Sequence, residues 1–125
     1  MKNLIIDAAA DRIFFKIISD NESYTSDYPS SRENFDKFVT LLFNFLKKNK
    51  INIKEINNIF VNQGPGKFSG IRTSISAAKA LRFTNKLNLY GFDSELVKNQ
   101  NYDKIIDLFN KGLLIKNLIK PQYSS

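Results

Sequence analysis

The densest chemical signal in the chain is the stretch Gly64-Pro65-Gly66-Lys67-Phe68-Ser69-Gly70, with Arg72 just beyond it. Two glycines flank a proline, a third follows four residues after the second, and a helix begins at once. Glycine has no Cβ and admits positive φ, so such a backbone can aim amides at an anion or approach another segment closely. A helix N-terminus adds partial positive charge, and Lys67 and Arg72 stand beside it. Standard phosphate loops do not fit. Val61 stands where a P-loop needs a glycine, and Ser69 where the dinucleotide fingerprint needs its last one. On residue types alone the loop reads equally as a tight structural turn and as an anion cradle. Asp7 and Ser69 could be imagined as base and nucleophile. A serine nucleophile needs a neighbouring base and an oxyanion hole. The chain has no histidine and Ser69 does not open a Ser-x-x-Lys, and capping of the following helix by Ser69 or Gly70 is the cheaper reading. No complete catalytic set emerges, and the expectation is a protein that is not itself an enzyme.

Composition narrows the chemistry further. The chain has 125 residues, enough for one compact domain, and 42% of them are apolar, enough for a core. Without cysteine there is no disulfide, thiolate metal site or thiol nucleophile; without histidine, imidazole triads and most zinc sites are gone. No metal and no cofactor is expected. No apolar run approaches a membrane span and no leader pattern opens the chain, so the expectation is a soluble, cytoplasmic protein with no membrane partner.

The net charge is +7, with 15 lysines against 4 arginines. Lys, Ile and Asn supply 15 residues each, the bias of an A/T-rich genome, which raises the charge without any anionic partner. The distribution is uneven, however. Residues 1–43 hold five basic and seven acidic side chains, whereas residues 44–86 hold nine basic and only Glu55. That segment reads either as a solvated lysine-rich surface or as one that steers RNA or an acidic protein.

The elements that must position these residues follow from periodicity. Asn3–Asp7 reads as a buried strand, Arg12–Ser19 as a central strand apolar on both faces, and Glu22–Tyr28 as a half-exposed third, together an antiparallel meander. Pro29 stops the last, and Ser30-Ser31-Arg32-Glu33 offers a capping box for a helix running to about Lys48. Phe35, Phe38, Leu42 and Phe45 form one stripe of that helix, and Val39, Phe43 and Leu46 another. One helix on one sheet needs a single stripe, so the second is read as a partner surface. Ile56–Asn62 reads as a strand and about Ile71–Thr84 as a helix, kept thin by Ser74, Ala77 and Ala80. Asn88–Phe92 is a further strand, Tyr102–Asn110 a weak helix, and Leu113–Ser125 a tail.

Ile59 to Arg72, followed by Ala77-Ala78-Lys79-Ala80-Leu81, resembles the G-P-G-S-F-T-G-L-R stretch of the bacterial TsaB (YeaZ) family. Leu4–Asp7 is similar to that family's first strand, Arg32–Leu46 to its first long helix, and Ile119-Lys120-Pro121-Gln122-Tyr123 to its C-terminal pattern. The resemblance implies an α/β fold: one actin-like (ASKHA, ribonuclease H-like) lobe with a mixed five-stranded sheet at residues 1–96, and a truncated C-terminal remnant at 97–125. A full two-lobed ATPase needs more chain. It further implies a non-catalytic scaffold that supports a TsaD-type catalytic protein, with a TsaE-type ATPase, in threonylcarbamoylation of adenosine beside the tRNA anticodon. The two long helices would pair with those of TsaD, or with a second copy in a homodimer. The interface residues so expected are Phe35, Phe38, Val39, Leu42, Phe43, Leu46, Ser74, Ile75 and Ala78. Lys47, Lys48, Lys50, Lys54 and Lys79 are the residues expected near tRNA, and direct tRNA binding through them is the alternative reading; a peptidase, hydrolase or ATPase ranks below both. The chain departs from the family at Ala8-Ala9-Ala10, which offers no hydroxyl after Asp7, so ATP binding is not expected. It also departs at Asn34 in place of a histidine, at Lys67 in place of a small hydroxyl residue, and at Ser69 in place of threonine.

Overall fold

The computed structural model describes residues 1–116 and 119–122, without the side chains of residues 99 and 100. The expected tail pattern is therefore described over Ile119–Gln122, and its Tyr123 lies outside the described residues.

Three strands open the chain: β1 (Asn3–Asp7), β2 (Arg12–Ile18) and β3 (Ser23–Pro29), paired as an antiparallel meander. Every residue of β1 is buried, because β1 lies between β2 and the parallel strand β4 (Asn58–Asn62) and is covered on both faces. β5 (Asn88–Phe92) runs parallel to β4. The sheet has six strands where five were expected. β6 (Ile115–Lys116), from the tail, pairs antiparallel with β5 and gives the order β3-β2-β1-β4-β5-β6. A two-residue strand has no periodicity of its own, which is why it could not be read in advance.

The expected single helix after β3 is two, α1 (Arg32–Asp36) and α2 (Phe38–Lys48), broken at Lys37 with φ −103° and ψ 16°. The cap also sits one residue later than the Ser30–Glu33 box. Ser31 Oγ accepts from the Asn34 amide at 3.1 Å, while Asn34 Nδ2 donates back to the Pro29 carbonyl at 2.8 Å. Glu33 instead takes Lys37 at 2.9 Å, and the Ser30 hydroxyl donates to the Ala10 carbonyl. α3 (Phe68–Thr84) begins three residues earlier than expected, with Lys67 as its cap and no side-chain capping bond.

Strand alternation sorts the core into two layers. Leu4, Ile6, Ile13, Phe15, Ile17, Ile59, Val61 and Leu89 face α2 and α3, with Phe15 meeting Phe38 at 5.4 Å and Phe45 at 5.8 Å between ring centres. Ile5, Phe60 and Phe92 face the other way. There α4 (Asp103–Asn110) and the 3-10 segment Ser94–Gln100 bring Val97, Tyr102 and Ile105 onto them. Val97, Tyr102 and Ile105 thus lie over the sheet, and Ile119 is 1% exposed within the first layer.

Candidate functional site

The glycine-rich loop is folded against the β1–β2 turn. The Lys67 amide donates to the Ala9 carbonyl at 2.9 Å. A Cβ added at Gly66 would stand 2.3 Å from that same oxygen, and one at Gly70 would stand 1.8 Å from the Ala8 carbonyl. Both glycines are required by backbone contact. Gly64 has φ +108°, and a Cβ there would meet the Gln122 carbonyl at 1.9 Å, so the tail crosses the loop where no side chain fits. Lys67 Nζ is held by Asp11, whose carboxyl that hydrogen bond, and then the lysine charge, keep below the usual range. Of the two readings left open for the loop, the structure builds the packing one. Pro65 and Ser69 are exposed at its surface, and the Arg72 guanidinium lies 5.9 Å from the centre of the exposed Phe68 ring.

Asp7 sits at the end of β1, only 9% exposed, with both carboxylate oxygens engaged. Oδ1 accepts from the Ala9 amide at 3.2 Å and from Asn62 Nδ2 at 3.0 Å. Oδ2 accepts from the Tyr102 hydroxyl at 2.7 Å. Asn62, at the end of β4, is fixed in turn because its Oδ1 accepts the Gly64 amide at 2.8 Å. The Tyr102 ring stacks on Phe14 at 4.8 Å and 16°. Burial first, then the Asp7 charge and hydrogen bond, push the Tyr102 phenol far above the ordinary tyrosine range, so it remains a donor. A cavity of about 450 Å³ opens beside this cluster, with Arg12 and Asp27 on its rim bound to each other at 2.8 Å. Its polar groups are thus largely committed to one another. Sequence reasoning missed both Asn62 and Tyr102. Among the described residues, no three His, Cys, Asp or Glu side chains converge as a metal site.

The expected partner residues divide into two sets. Phe38, Leu42, Leu46, Ser74, Ile75 and Ala78 are buried in the chain's own core, so they are not surface contacts. The reason is helical phase. Leu46 lies four residues after Leu42 and eight after Phe38, and so falls on the inward stripe. Ser74 and Ala78 are small because α3 lies close to the sheet, and Ser74 Oγ is satisfied by the Ile71 carbonyl at 3.1 Å. Val39 and Phe43 do face outward, 47% and 39% exposed, and Phe35 is half-buried between the two environments. Phe83, not anticipated, is 90% exposed on α3. Between α2 and α3 runs a groove of about 540 Å³, with Val39 and Thr40 on one wall and Thr73, Ser76 and Ala80 on the other. Lys47, Lys48, Lys50, Lys54 and Lys79 are all exposed.

A mixed sheet in this order, with α2 and α3 on one face and α4 on the other, defines an α/β protein of the ribonuclease H-like class. The structure of YeaZ from Pseudomonas aeruginosa shares the fold at a TM-score of 0.73, with 14% identity over 89% of this chain and 50% of that one. Thermus thermophilus RuvC, in complex with its Holliday junction substrate, shares it at 0.53, with 11% identity over 90% of this chain and 78% of that one. Residues 29–97 match the family described as TsaD, tRNA N6-adenosine threonylcarbamoyltransferase, and the chain belongs to that family as a member of the TsaB/YeaZ type. It is 29% identical over 91 residues to the tRNA threonylcarbamoyladenosine biosynthesis protein TsaB of Buchnera aphidicola subsp. Schizaphis graminum, covering 73% of this chain and 43% of that protein. The chain spans less than half the length of the curated relatives it matches. Among the described residues no helix is long and apolar enough to cross a membrane.

Proposed function

We propose that this chain is a non-catalytic scaffold subunit in tRNA threonylcarbamoyladenosine biosynthesis, which binds and supports a TsaD-type catalytic protein working with a TsaE-type ATPase on tRNA. The observation that carries this reading is the outward face of α2 and α3. Val39 is exposed there across a groove from Ser76 and Ala80, which are small enough for a partner helix to approach closely, and Phe43 and Phe83 are exposed on the same two helices. The chemistry of the loop and of Asp7 supports the non-catalytic half. Lys67 and its amide are spent on the β1–β2 turn, and the Asp7 oxygens on Ala9, Asn62 and Tyr102. Neither arrangement leaves a base beside a nucleophile.

Sedimentation of the chain mixed with the TsaD-type protein of the same organism tests the reading. Association at micromolar concentration, lost in Val39→Asp, is expected; independent migration of the two species would refute it.

A further inference from the structure

Resting on that reading, we infer that the end of the fold where α2 and α3 finish binds the phosphate backbone of tRNA, with Phe83 as a platform on which an unpaired base stacks. α3 is 17 residues long, so this end stands about 25 Å from the glycine-rich loop. Two grooves cross it. One, of about 530 Å³, lies between the last turns of α2 and the segment that follows, and is lined by Lys47, Lys50, Asn52 and Glu55 among others. The second, of about 360 Å³, joins the 3-10 turn Ile53–Glu55 to the end of α3, and is lined by Lys54, Thr84, Asn85 and Lys86. Ile53 lines both, so the two grooves are neighbours.

The charge at this end is not compensated within the chain. Glu55, the one carboxylate lining either groove, is already engaged: Lys2 Nζ donates to one oxygen and the Asn52 amide to the other. Among the described residues, Lys47, Lys50, Lys54 and Lys86 are exposed and make no ion pair. Lys47 complements the dipole in the last turn of α2, whereas Lys50, Lys54 and Lys86 lie beyond the two α-helices, where that role does not arise. Phe83, three residues before Lys86, is 90% exposed, and the exposed Phe43 lines the first groove. Cations with no free carboxylate between them match a chain of phosphates better than a protein surface of mixed charge, and an aromatic ring standing in solvent offers its face to any base. Lys67 and Arg72, at the loop end of α3, take no part.

Fluorescence anisotropy of a labelled, unmodified tRNA transcript titrated with the full chain tests the assignment. Phosphate contacts from these four lysines predict a log–log salt slope of about −3, a roughly sixtyfold loss of affinity between about 50 and 200 mM salt. Lys54→Glu/Lys86→Glu should weaken binding at least roughly tenfold at the lower salt and about halve the slope. Lys104→Glu/Lys111→Glu makes the same charge change at two exposed lysines of α4 and its cap, and should stay within about threefold of the parent. Phe83→Ala should cost at least about fivefold at either salt concentration, because stacking is not screened. All the altered side chains are exposed, and circular dichroism melts check that each variant folds.

No tRNA binding at about 50 mM salt, or an equal loss from the α4 pair, overturns the inference. So does a Lys54→Glu/Lys86→Glu chain that keeps its tRNA affinity but no longer sediments with the TsaD-type protein, which would give this end to a protein partner. Sedimentation also keeps the two readings apart. A hetero-complex without tRNA contact at this end leaves the scaffold reading standing and removes the inference; tRNA contact without a hetero-complex does the reverse.

Discussion

Replacing Tyr102 by phenylalanine deletes one hydroxyl and keeps the ring that stacks on Phe14. The lost bond is the 2.7 Å contact to Asp7 Oδ2, and among the described residues that oxygen has no other donor to turn to. Asp7 is 9% exposed, so water replaces the hydroxyl poorly. Hydrogen bonds to charged groups contribute about 1.5–3 kcal/mol, and removing the donor leaves the carboxylate with the desolvation penalty. The expected loss at pH 7 is therefore about 2 kcal/mol, or roughly 8 °C in melting temperature for a domain of this size. Urea titration followed by circular dichroism reads it. The pH dependence adds a second, independent check. The phenol is raised in the folded protein, so its contribution is fully present below the ordinary tyrosine pKa of about 10 and fades as pH climbs above that value. At pH 11 the unfolded chain gains about 1.4 kcal/mol by ionising this tyrosine, which the folded protein does not share. The gap between the parent chain and Tyr102→Phe should narrow by that amount between pH 8 and pH 11. A variant within about 0.5 kcal/mol of the parent at pH 7, or a gap constant with pH, would refute the assignment.

Leu42→Ala should destabilise the chain by about 2–5 kcal/mol, because Leu42 is fully buried, whereas Val39→Asp three residues earlier should stay within about 0.5 kcal/mol. Thermal melts of the pair test the inward and outward stripes of α2 directly. Gly70→Ala should cost at least about 3 kcal/mol or prevent folding, because its Cβ would overlap the Ala8 carbonyl; Gly112→Ala, where nothing lies within 4 Å but φ is +70°, should cost only about 1 kcal/mol. Denaturant midpoints should rank the two in that order. Asp11→Asn, at a fully exposed ion pair, should leave acid stability unchanged, and a shifted acid-unfolding midpoint would show that the Lys67 contact does more than surface pairing.

Much of the fold was legible because the strands speak locally. The run Leu4-Ile5-Ile6 can bury itself only in the middle of a sheet with both faces covered, and the Arg12–Ile18 segment beside it buries Ile13, Phe15 and Ile17 on one face and half-buries Phe14 and Ile18 on the other. The helix face was not legible to the same degree, because periodicity gives stripes without saying which one turns inward. Phe38, Leu42 and Phe45 compete with Val39 and Phe43, and the sheet decides between them through contacts such as Phe15 against Phe38. Small residues misled for a related reason. Ser74 and Ala78 signal close approach, and the sequence does not reveal whether what approaches is the chain's own sheet or another protein. The Asp7 cluster was beyond reach altogether: Tyr102 stands ninety-five positions from its acceptor, just before a helix with no motif to mark it.

The loop that announced the family acts by geometry. An anion cradle and a packing hinge need the same glycines, so residue types could not separate them; the carbonyls of Ala8 and Ala9 do, by occupying the space a Cβ at Gly70 or Gly66 would need. The alanines that depart from the family at this turn then make physical sense. A larger side chain at position 9 would press on Gly66, whose own added Cβ would already stand 2.8 Å from the Ala9 Cβ. Clamping the turn to the start of α3 fixes where that helix leaves the sheet, and with it the line of Thr73, Ser76 and Ala80 along the groove. The motif and the proposed partner face are in this way one construction. A substitution at Gly66 or Gly70 acts on association through the placement of α3, so its effect on binding should follow its effect on stability, while Val39→Asp separates the two.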